Sequence, residues 1–66
     1  MQLATHIENQ IIGAIKDATL SGTEFPFTTE TRSGIKHIIA KEEISVGNLI
    51  TSLDVDGETY LIYLTK

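Results

Sequence analysis

Leu49-Ile50-Thr51-Ser52-Leu53-Asp54-Val55-Asp56-Gly57-Glu58-Thr59-Tyr60-Leu61-Ile62-Tyr63-Leu64 is the stretch that decides the fold. Two strand-like runs flank Asp56-Gly57. Asp-Gly in that setting is a strong hairpin signal, because a type I′ turn needs positive φ at both central residues. The reading is a β-hairpin over 48–65. A two-residue turn also sets the register. It places Val55 opposite Glu58, Leu53 opposite Tyr60, Thr51 opposite Ile62 and Leu49 opposite Leu64 on one face. The other face receives Asp54 with Thr59, Ser52 with Leu61, Ile50 with Tyr63 and Asn48 with Thr65. The first face is the expected core side. The second is half apolar, with Ile50, Leu61 and Tyr63 clustered beside Ser52 and Asp54.

The segments before the hairpin supply what could cover its core face. Ala4, Ile7, Ile11, Ile15 and Ala18 recur at spacings of three and four, with Leu3 and Ala14 flanking them, which predicts an amphipathic helix over 3–20. Ser21-Gly22 is its stop, Gly22 suiting a left-handed C-terminal position. Gly13 weakens its middle, and Ile12 projects toward the polar side with Thr5, Glu8 and Thr19. Residues 23–31, with Phe25-Pro26-Phe27 and two threonines, read as a strand. Pro26 cannot donate to a ladder, so an edge position is expected. Arg32-Ser33-Gly34 is a turn. Residues 35–44 fit either a helix capped by Ser33 or a second strand paired with 25–31, the strand being preferred for its β-branched content. A loop with Gly47 occupies 45–48. The expected fold is therefore α+β: one N-terminal helix on an antiparallel sheet of three to four strands, a single domain over 1–66.

Length and composition narrow the function classes. A chain of 66 residues without cysteine buries only about 60% of its unfolded surface. It has no disulfide, zinc-thiolate or thiol chemistry to draw on, so regular packing and self-association are its means of stabilisation. No apolar run is long enough to span a membrane. Met1-Gln2-Leu3-Ala4-Thr5-His6 has neither the basic start nor the apolar stretch of a leader, and a cytoplasmic location is the default expectation.

The net charge is −4, unevenly distributed. Residues 32–41 are basic, with Arg32, Lys36 and Lys41 around His37. Residues 42–65 carry Glu42, Glu43, Asp54, Asp56 and Glu58 with no base. Three basic residues are a thin supply for nucleic acid, where affinity rests on neutralising several phosphates.

No catalytic, cofactor or metal site emerges. Asp54-Val55-Asp56-Gly57 has the start of a calcium loop but none of its later ligands. The carboxylates cluster at a hairpin tip in water, rather than facing each other across a cleft as acid/base pairs do. His6 and His37 have no partner at ligand spacing. Ser33 and Ser45 lack a nucleophile elbow, and the glycines are too dispersed for a phosphate loop. Residues 38–53 faintly resemble a helix-turn-helix, with the hairpin as wing, which is the alternative reading of a small DNA-binding regulator. The segment is one residue short before the turn, and its second helix would lack Arg and Lys.

The expectation is a small acidic, non-enzymatic protein-binding module, an inhibitor or adaptor that docks sterically and electrostatically on a basic protein, or a homodimer. Phage- and plasmid-encoded antagonists such as anti-CRISPR proteins share this composition, which is an analogy of composition and not of motif. Glu42, Glu43, Asp54, Asp56 and Glu58 are the expected steering charges. Ile50, Leu61 and Tyr63 are the expected buried contacts with the partner.

Overall fold

The computed structural model describes residues 3–65. Met1 and Gln2, the first residues of the segment read for a leader, and Lys66 lie outside that range. The chain forms α1 (Thr5–Ser21), β1 (Phe27–Glu30), β2 (Lys36–Ala40), β3 (Asn48–Val55) and β4 (Glu58–Leu64). The strands make one antiparallel sheet in the order β1-β2-β4-β3, and α1 covers one face. Among the described residues no helix is long and apolar enough to cross a membrane.

The stripe read from the sequence is the buried side of α1, with Ile11 and Ile15 at 0% exposure. They pack with Ile39, Leu53, Val55, Tyr60 and Ile62 from three strands. Complete burial of an aliphatic side chain contributes about 1.5–3 kcal/mol, so these isoleucines carry much of a small core. Gly22 ends the helix in the left-handed region at φ 74°. The Thr23 amide donates back to the Ala18 carbonyl at 2.9 Å, the six-to-one bond of a Schellman cap. Ile12 departs from expectation. It is half-buried and packs against the core cluster.

The ambiguous segment resolves as strand over Lys36–Ala40, with 41–47 forming a connection longer than expected. β1 begins only at Phe27, and Phe25 and Pro26 precede it, joined by a cis peptide bond. The turn between β1 and β2 is tied to the helix, the Arg32 amide donating to Gln10 Oε1 at 2.9 Å.

The hairpin turns as read. Asp56 and Gly57 have φ of 53° and 83°, the two positive values a type I′ turn requires. Register holds from Val55↔Glu58 through Thr51↔Ile62, then slips by one at a bulge, after which Leu49 faces Tyr63 and Asn48 faces Leu64. The bulged residue is Ile50. Because side chains alternate with period two, one extra residue exchanges the faces beyond it. Leu49 therefore lies on the face away from the helix, 53% exposed, while Ile50 packs against the core. The expected pairs Leu49–Leu64, Ile50–Tyr63 and Asn48–Thr65 are corrected accordingly.

Candidate functional site

The sheet register collects acidic residues at one end of the molecule. Ala40, the last residue of β2, lies beside Leu61, and β4 and β3 continue past that level to Asp54↔Thr59 and Val55↔Glu58. The chain leaves β2 toward Glu42 and Glu43 at this same end. Phe25, packed on Tyr60 at 5.4 Å between ring centroids, brings its neighbour Glu24 there as well. Glu24, Glu42, Glu43, Asp54, Asp56 and Glu58, six of the chain's nine acids, thus gather at the hairpin-tip end. Among the described strands and loops of that end, Lys41 is the one base. Arg32, in the β1–β2 turn, and Lys36, at the start of β2 opposite Glu30, lie at the far end of the same strands. Asp54 is oriented by Thr59, whose hydroxyl donates to Oδ1 at 2.8 Å.

The face away from the helix is not the open platform expected. The order β2-β4-β3 forces the 41–47 connection to cross β4, and it does so over Tyr63. The Ile44 amide donates to Tyr63 Oη at 3.2 Å. Gly47 comes so close that a Cβ on it would stand 2.5 Å from the Leu64 carbonyl oxygen and 3.6 Å from Tyr63 Cβ. Tyr63 is consequently only 4% exposed, and its expected role as a partner contact is corrected to that of an anchor for the connection. Ile50 is withdrawn to the helix side. Of the three apolar contacts expected, Leu61 alone stays half-exposed on this face, opposite Ser52. Glu42, Glu43, Asp54, Asp56 and Glu58 are all exposed.

A cleft of about 310 Å³ opens at the acidic end, lined by Phe25, Pro26, Ala40, Lys41, Glu42, Glu43 and Ile44. Phe25 forms its aromatic wall, braced edge-on by Phe27 at 5.0 Å. Lys41 Nζ lies 5.0 Å from the Phe25 ring centroid, within cation–π range. Nothing in the hairpin or in charge patterning points to this cleft. Its trace in the sequence is the Phe25-Pro26-Phe27 cluster and the Lys41-Glu42-Glu43 run, brought together by the pairing of β1 with β2.

His6 is exposed, and His37 is 2% exposed on the helix-facing side with no hydrogen-bond partner for Nδ1. Burial lowers the His37 pKa, and a weaker backbone hydrogen bond at Ile35 opposes it. No group of three or more His, Asp or Glu side chains among the described residues could hold a metal ion. Residues 38–53 run through β2, a loop and β3, so the two helices of a helix-turn-helix are not formed there. Comparison with protein-family models, curated proteins and solved structures finds no match to this chain.

Proposed function

We propose that the protein is a non-enzymatic binding module that docks its acidic end on a basic surface of a larger protein, acting as an inhibitor or adaptor. The observation that carries this reading is the segregation of Glu24, Glu42, Glu43, Asp54, Asp56 and Glu58 to one end of the sheet, away from Arg32 and Lys36. An excess of one sign at one end acts on an approaching partner, and salt screens it over a Debye length of about 8–10 Å. Such a predominantly acidic end raises encounter rates and rejects like-charged surfaces. Leu61, half-exposed beside Ala40, supplies apolar area next to it. The experiment is capture from an extract of the encoding organism on the immobilised protein, at low and high salt, beside the charge-reversed variant E42K/E43K/D56K/E58K. The expected result is a basic partner retained at low salt and lost both at high salt and on the variant. Equal capture by the two proteins would contradict the reading.

Self-association is the second reading, favoured by the position of β3 at the sheet margin. Among the described residues its outer edge has no strand partner, the arrangement that invites pairing with another strand, and Val46 and Leu49 stand exposed nearby at 58% and 53%. Sedimentation over a concentration series tests it: a mass that stays monomeric throughout removes it.

A further inference from the structure

We infer that the cleft beside Phe25 is a receptor for a single arginine side chain of the basic partner, and that Lys41 occupies it in the free protein as an intramolecular stand-in. The inference rests on the proposed docking of a basic surface and specifies its central contact. Three observations support it. First, the cleft has about 310 Å³ of space, the small end of the roughly 300–1,000 Å³ range of ligand pockets, which suits one long side chain. Second, its lining has two parts that match the two parts of arginine. Phe25, Pro26, Ala40 and Ile44 offer apolar surface to the methylene stem, and the exposed Glu42 and Glu43 offer carboxylates to the head. Third, a cation already uses the site. Lys41 Nζ is placed 5.0 Å from the Phe25 ring centroid, and that ring is fixed by Phe27 and Tyr60 at 5.0 and 5.4 Å.

The exchange of Lys41 for an incoming arginine is favourable on chemical grounds. A guanidinium stacks on an aromatic face and bridges carboxylates in a fork, whereas an ammonium is a compact, strongly hydrated point charge. Lys41 is exposed and returns to water when displaced, leaving the −2 charge of Glu42 and Glu43 for the partner. Removing Lys41 has two effects: it adds net negative charge, which favours any cation, and it uncovers the ring, which favours a guanidinium over an ammonium, so the gain in affinity is larger for arginine than for lysine.

The test is NMR titration of the full chain with blocked Gly-Arg-Gly, Gly-Lys-Gly and Gly-norleucine-Gly peptides, following Phe25, Ile44 and the amides of residues 41–44. Shifts are expected at the cleft in the order arginine, lysine, norleucine. Lys41→Met is expected to tighten the arginine peptide by roughly two- to fivefold, the range of an exposed cation–π contact, with a smaller gain for lysine. Glu42→Gln/Glu43→Gln and Phe25→Leu are each expected to weaken it, the latter with wild-type amide dispersion elsewhere as a check on folding. Equal gains for arginine and lysine in Lys41→Met, equal binding of norleucine, or shifts spread evenly over Asp54, Asp56 and Glu58 would overturn the inference. Capture of a basic partner that depends on the acidic end, together with no arginine preference at the cleft, sinks this inference and leaves the proposed docking standing.

Discussion

The imidazole of His37 is sealed on the helix-facing side of β2 with Nδ1 unpartnered, and this makes the fold sensitive to mild acid. Burial holds its pKa below the ordinary 6.5. The unfolded chain, keeping the ordinary value, therefore takes up the proton first as pH falls. Stability is complete above about pH 6.5 and declines below it, toward the lowered native pKa. His37→Leu should flatten this slope above the carboxylate range in denaturant titrations, and an unchanged slope would contradict the assignment. Two glycines make a second comparison. Gly47 combines φ 78° with a backbone atom 2.5 Å from any Cβ, while Gly13 sits in a helix with nothing within 4 Å. Gly47→Ala should cost about 2 kcal/mol or more, from left-handed strain plus the clash. Gly13→Ala should instead stabilise by about 0.5–1 kcal/mol. Thermal or urea unfolding of both variants checks this. The weakness of Gly13 was legible from helical periodicity. The requirement at Gly47 was not, because it arises from the passage of a connection over β4, which depends on strand order.

At the scale of elements, the hairpin divides what local chemistry decides from what packing decides. Asp56-Gly57 sets the register for the pairs nearest the turn, and there the sequence reading holds through Thr51↔Ile62. Beyond it the bulge exchanges Leu49 and Ile50, both β-compatible aliphatic residues that nothing in a period-two pattern distinguishes. A measurable asymmetry follows. Ile50→Ser removes a side chain packed on the core and should cost about 1–2 kcal/mol. Leu49→Ser alters an exposed position and should stay within about 0.5 kcal/mol. The reverse order in chemical denaturation would restore the unbulged register. Residues 35–44 pose a related difficulty. Ile35, Ile38 and Ile39 satisfy helical and extended patterns alike, and pairing with both β1 and β4 selects the strand.

Across the whole molecule, the charge runs in the sequence become a charge axis only through topology. Residues 42–65 read as acidic and 32–41 as basic, but the separation of the acids from Arg32 and Lys36 depends on the order β1-β2-β4-β3, and Lys41 stays with the acids. That order turns Glu42-Glu43 toward the hairpin tip and leaves Arg32 and Lys36 at the far end. The same order hides Tyr63 beneath the 41–47 connection, while Glu42, Glu43, Asp54, Asp56 and Glu58 stay exposed. Electrostatic docking is the central claim, and association kinetics with the captured partner test it most directly. Measured across ionic strength, Asp56→Lys/Glu58→Lys should slow association and flatten its salt dependence relative to the wild-type chain, with dissociation little altered. Association rates that coincide for the two proteins at every salt concentration would contradict it.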